Sequence, residues 1–186
     1  MNVKSINQCS VVQYNMLYYK RVNGNMNLFH GSNILVQTPQ IIMSEKTLDF
    51  GIGFYTTSSL EQAKKWAVNK TKREKQGTAT VSVFSIDDDF LSNSNLNILN
   101  FQKADEKWLD FIMANRTNLD FNHSYDIVKG AVANDRVYAS LNAFENGFMD
   151  KSTLLKELKT WVYVDQILFH TEKSIKLLSF SKGLIV

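Results

Sequence analysis

Residues 78–86, Thr-Ala-Thr-Val-Ser-Val-Phe-Ser-Ile, alternate small polar and apolar side chains. That is the period of a strand with one face buried, and it is the clearest strand signal in the chain. A strand of this kind is not stable alone, so the chain must build a sheet around it. Shorter strand signals lie at Leu28-Phe29-His30, at 53–57 (Gly-Phe-Tyr-Thr-Thr), at 96–101, at 125–133, and in the terminal runs 163–170 and 174–181. Helical spacing falls between them. Leu60 to Lys75 carries Ala63, Trp66 and Ala67 on one face, is capped by Ser58 or Ser59, and is stopped by Gly77. Residues 103–116 place Trp108, Phe111 and Ile112 together, and Asn134-Asp135 opens helical sequence that runs to about Lys159 with a break near Gly147. Short strands interspersed with helices predict an α+β fold. Residues 9–22 predict a short amphipathic helix, giving an N-terminal helical extension over 1–26 and one domain over 27–186.

Composition removes several classes of function. The chain has 186 residues, 44% hydrophobic and 12% aromatic, enough for a core, so global disorder is excluded. A single cysteine, Cys9, cannot form an internal disulfide or a cysteine metal cluster, and a cytoplasmic location is expected. His30, His123 and His170 have no zinc-ligand spacing, and Asp87-Asp88-Asp89 reads as a solvated turn, so no metal is expected. No apolar run reaches the roughly 18 residues of a membrane span, and the opening Met-Asn-Val-Lys has no apolar signal core. The net charge of +3 is mild, but residues 60–76 carry six basic side chains while 85–126 are acidic. The basic stretch reads first as a solvated helix face.

Three features stand apart from core building. His30-Gly31-Ser32 ends an apolar strand at a residue without a Cβ, where a backbone can be approached closely. Gly-Ile-Gly-Phe-Tyr-Thr-Thr at 51–57 brings Tyr55 into a strand, and Trp66 follows on the next helix, so that two aromatic faces could hold a planar ring. Asp165-Gln166 opens a late apolar strand with a polar pair that needs partners.

The order His-Gly, Gly-x-Gly-x-Tyr, then a polar pair opening a late strand resembles the ADP-ribosyltransferase superfamily, in its His–Tyr–Glu branch. LFHGS, DFGIGFYTT, ANDRVY and VDQILFHTEK together are similar to uncharacterised bacterial and phage-associated domains of that superfamily. The resemblance covers about 28–181 and implies a split two-sheet fold with flanking helices that uses NAD as co-substrate. It implies that Gly31 holds the nicotinamide carboxamide, that Tyr55 and Trp66 stack on the ring, and that His30 binds a ribose hydroxyl. Position 166 would orient the other ribose. Ser32, Thr56, Asn134 and Arg136 join the cofactor-binding set, Arg136 as a pyrophosphate partner. The implied activity is mono-ADP-ribosyl transfer to a protein or nucleic acid, as a bacterial toxin or conflict effector with a possible antitoxin or immunity partner. NAD hydrolysis and a non-catalytic binding module are the alternatives. The chain departs from the branch at Gln166, where Glu is usual, and at Ala63, where Ser is frequent. An amide can hold a hydroxyl but cannot act as a base. Asp135 is the expected substitute carboxylate, since Asp165 should face away from its neighbour.

Overall fold

The computed structural model describes residues 24–41, 48–118, 120–132 and 135–186, the side chains of Asp135 and Arg136 excepted. The helix expected at 9–22 and Asn134 lie outside the described residues. The fold is α+β, with two sheets and several helices.

The alternating segment is β3 (Thr80–Asp87) and forms the centre of a three-stranded antiparallel sheet. On one side it pairs with β1 (Asn25–Ser32), His30 opposite Ser82 and Gly31 opposite Val81. On the other it pairs with β7 (Ser179–Ile185), with a register shift at Val83/Phe84. The second sheet runs in the order β2 (Phe54–Thr56), β6 (Asp165–Phe169), β5 (Ile127–Ala131) and β4 (Ile98–Asn100). Only its β4–β5 pair is parallel. Among the described residues one isolated bridge joins the sheets, where Phe29 and Thr57 exchange both main-chain hydrogen bonds at 2.9 and 3.0 Å.

Three apolar layers follow from strand alternation. Helix α1 (Leu60–Glu74) buries Ala63 and Ala67 against Val81 and the outer face of the first sheet. Between the sheets lie Leu28, Phe54, Phe84, Ile127, Ile167 and Phe169. The far face of the second sheet carries Val128 and Leu168, covered by α2 (Glu106–Thr117), α3 (Asp135–Glu145) and α4 (Lys151–Leu158) through Trp108, Ile112, Leu141 and Leu154. Burying side chains of this size is worth about 1.5–3 kcal/mol each, so these layers hold the domain together.

Several local expectations change. Ser59 caps α1 as expected, its hydroxyl accepting the Gln62 N–H. Its other end falls at Lys75 as expected, but the stop is made by Lys75 and not by Gly77: Lys75 itself turns left-handed, at φ 53°, and its N–H closes on the Thr71 carbonyl. The stretch 174–181, expected as strand, begins as a helical turn, α5 (Glu172–Ile175), because Thr171 and Ser174 cap each other. Strand β7 therefore starts only at Ser179. The basic side chains of α1 are largely solvated as expected, apart from Lys64 and Lys70, which are half-buried.

Candidate functional site

Where β1 meets β2, the structure brings His30, Gly31 and the Tyr55 main chain together. Phe29 spends its N–H and C=O on Thr57 across the bridge, so these groups point away from β3. Main-chain groups alternate along a strand, so Gly31, two residues on, presents its own N–H and C=O along the same edge. The bridge is antiparallel, so Gly31 lies toward Tyr55 of β2, where among the described residues no further bridge forms. The missing Cβ at Gly31 serves packing: a carbon there would stand 2.0 Å from the Ala63 carbonyl oxygen. The space foreseen for a ligand above Gly31 is thus occupied by α1, while the edge groups remain presented. Ser32 is buried, and its hydroxyl accepts from Lys70 Nζ at 3.3 Å.

His30 lies on the inter-sheet face, stacked on Phe54 with centroids 4.4 Å apart. Its Nδ1 is 2.7 Å from the Tyr55 carbonyl. A carbonyl only accepts, so Nδ1 carries the proton and Nε2 keeps a lone pair for a donor such as a hydroxyl. Burial pulls the ring's pKa down to about 4, the hydrogen bond to Tyr55 opposing and Lys70 assisting. The unfolded ring titrates near 6.5, so His30 contributes stability that is complete above that pH and lost as the pH falls toward 4. The linked loss is up to about 3 kcal/mol. Urea denaturation at pH 7 and 4.5 measures it. His30→Gln, which stays neutral, is expected to flatten the slope; an unchanged slope would mean the native state accepts the charge.

Tyr55 sits on the opposite, helix-covered face, half-buried against the Phe50–Trp108 cluster. Its hydroxyl donates to the Gly51 carbonyl at 2.6 Å and accepts the Phe50 N–H at 3.2 Å. Burial pushes that phenol up. The preceding loop is held at three consecutive carbonyls: Phe50 receives His123 Nε2 at 3.0 Å, Gly51 the Tyr55 hydroxyl, and Ile52 His170 Nδ1 at 2.5 Å. Gly53 then lies flat on β6 at φ +153°, where a Cβ would be 2.4 Å from Leu168 Cδ1. Thr56 is buried, its hydroxyl donating to the Ile167 carbonyl. Trp66 is 50% exposed, with the Arg73 guanidinium 5.9 Å over its ring. Among the described residues no ring contact joins Trp66 to Tyr55.

The polar pair on β6 diverges as strand geometry requires. The Asp165 carboxylate accepts from the Ser58 N–H and hydroxyl, both at 2.9 Å, and from the Thr57 hydroxyl at 3.2 Å, with Lys129 at 3.6 Å. It closes the turn after β2. Gln166 is on the face that carries Leu168, to which Tyr55 is paired, and its Nε2 is buried with no hydrogen-bond partner. Asp135 opens α3, but its side chain and that of Arg136 lie outside the described residues, as does Asn134.

Sequence reasoning missed the buried carboxylate of this face. Asp49 is 8% exposed, four residues before Gly53. Burial raises its pKa against the pull of Arg116, whose Nη1 is 3.5 Å away, and the Gln166 side chain also favours its charged form without reaching hydrogen-bonding geometry. Arg116 grips Glu145 at 2.6 Å and lies 4.5 Å over the Tyr138 ring. The available signal was an acid enclosed by Leu48, Phe50 and Gly51, with no polar neighbour in sequence to solvate it. Among the described residues no group of three or more His, Cys, Asp or Glu is placed to hold a metal ion. No helix there is long and apolar enough to cross a membrane.

No curated protein matches the chain. The sequence profile of a family described as "Protein of unknown function (DUF3990)" matches residues 26–180. That match runs from the second residue of β1 to the second of β7 and takes in both sheets, the bridge between them and every described residue of the candidate site. The chain belongs to the DUF3990 family.

Proposed function

We propose that the domain binds NAD at the junction of β1, β2 and α1 and transfers its ADP-ribosyl group to a macromolecule, as a mono-ADP-ribosyltransferase. The observation that carries this reading is the pairing of His30 with the Tyr55 carbonyl beside the outward edge of Gly31. It leaves an imidazole lone pair for a ribose hydroxyl and a main-chain N–H and C=O suited to a carboxamide, which carries the complementary acceptor and donor. Trp66, half-exposed on the helix whose Ala63 and Ala67 pack on Gly31, offers the aromatic face for a nicotinamide ring. The motif order that resembles ADP-ribosyltransferases supports the same assignment.

The chemistry is heterolysis of an N-glycosidic bond. The bonding pair leaves on the nicotinamide nitrogen, which becomes neutral, and the ribose carbon is left electron-poor. A nucleophilic oxygen or nitrogen of the acceptor then bonds to that carbon and gives its proton to water. The protein's part is to hold the two halves of NAD and to stabilise the positive sugar. Gln166 can orient a ribose hydroxyl but brings no charge.

NAD labelled in both the nicotinamide and the adenylate tests the proposal. Transfer predicts free nicotinamide with the adenylate label on protein or nucleic acid. Free ADP-ribose alone would reassign the activity to hydrolysis, and retention of all nicotinamide would leave a binding module. Trp66→Ala is expected to weaken NAD binding about fivefold, the equivalent of about 1 kcal/mol of stacking. Unchanged affinity by calorimetry would remove Trp66 from the site.

A further inference from the structure

The charge missing at Gln166 has a source on the same face of the second sheet. Strand register puts Tyr55 and Gln166 on that face, and the Tyr55 hydroxyl reaches the Phe50 N–H, the peptide that follows Asp49. Asp49 and Glu145 share one guanidinium, at 3.5 and 2.6 Å, so the cluster carries one more negative than positive charge. All three side chains are largely removed from water, at 9%, 20% and 11% exposure, where such an excess is weakly screened. The Gln166 Nε2 donor is buried and unmet, and Asp49 is the acceptor beside it. Asp165, the other carboxylate nearby, is occupied by the turn after β2.

We propose that Asp49 is the positioning residue that replaces the usual catalytic carboxylate: it fixes the Gln166 amide and projects the cluster's excess negative charge toward the ribose that Gln166 holds. This rests on the NAD reading above. In the proposed arrangement Asp49 takes up the Gln166 Nε2 hydrogen that is unmet in the structure, which leaves the Gln166 carbonyl free to accept from a ribose hydroxyl. As the nicotinamide leaves, the positive sugar forms in the field of Asp49. The charged and titratable groups that act on Asp49 and its surroundings are Tyr55 from β2, Arg116 from α2, and Tyr138 and Glu145 from α3.

The test uses the whole chain with NAD. Calorimetry on the wild type examines the NAD reading, and no binding would overturn both that reading and this one. Given binding, Asp49→Asn should keep NAD affinity within about threefold while slowing nicotinamide release on the order of 10²-fold, the range for losing one preorganised electrostatic group. Adding Gln166→Glu to Asp49→Asn should return at least tenfold of that rate. A readout independent of turnover guards against a merely structural role. In the Gln166→Glu variant the introduced carboxyl should titrate, by NMR, above the usual value of about 4.3, and should move down when Asp49→Asn is added. Equal rates for wild type and Asp49→Asn, or an introduced carboxyl indifferent to Asp49, would overturn the inference and leave the NAD reading standing.

Discussion

Gly31→Val is expected to destabilise the domain by about 3 kcal/mol or more and to abolish any binding at the β1 edge, because overpacking is relieved only by moving backbone. The first atom a Cβ meets is the Ala63 carbonyl oxygen at 2.0 Å, followed by the Ala67 nitrogen at 3.0 Å. Neither can rotate away as a side chain would. Relief requires lifting α1 off the sheet, which uncovers Ala63, Ala67 and Val81 and shifts Lys70 from Ser32. Gly147→Ala is the control: nothing lies within 4 Å of its Cβ, and only the left-handed φ of +75° is strained. That strain is worth about 1–2 kcal/mol. Urea denaturation of both variants separates a steric cost from a conformational one. If Gly31→Val loses no more than Gly147→Ala, α1 is free to slide and Gly31 is not a packing residue.

Gly31 also illustrates how far the sequence could be read. His-Gly at the end of an apolar run marked the position, but the sequence offered a ligand as the reason for the glycine, and the neighbour is a helix. Which element packs on a strand depends on contacts remote in sequence, and α1 starts almost thirty residues later. Periodicity and caps are local, so Ser59 and the alternation of β3 could be seen directly. The same local logic failed at residues 174–175: Ser174 and Ile175 read as the start of a strand until the reciprocal hydrogen bonds of Ser174 and Thr171 are considered as a cap. The divergence of Asp165 and Gln166 followed from strand geometry alone. Asp49 and Arg116 escaped notice because each has an ordinary setting in sequence, one before a glycine loop and the other among the acidic residues of 85–126. Their burial arises only when the loop, α2 and α3 close on the second sheet.

That closure makes Arg116 the second large effect. Arg116→Met keeps much of the side chain's length and removes the guanidinium, leaving Asp49 and Glu145 near each other without their cation. Stripping one partner from a largely buried ion group costs about 3–5 kcal/mol, and that is the loss expected at pH 7. The dependence on pH identifies its origin. Without Arg116, the burial that already raises the Asp49 carboxyl acts without its main opponent, and that carboxyl rises further in the folded state. A carboxyl whose folded pKa exceeds its unfolded value contributes stability below the unfolded pKa, near 4, and loses it as the pH rises through the folded one. The deficit of Arg116→Met relative to wild type should therefore shrink as the pH is lowered from 7 to 5. Adding Asp49→Asn should recover part of it at pH 7, since one of the two stranded charges is gone. A deficit that stays constant across this range would assign the loss to the stacking of Arg116 on Tyr138 instead. It would also weaken the case for an excess negative charge beside Gln166, because carboxyls that do not respond to losing their cation are not held charged by it.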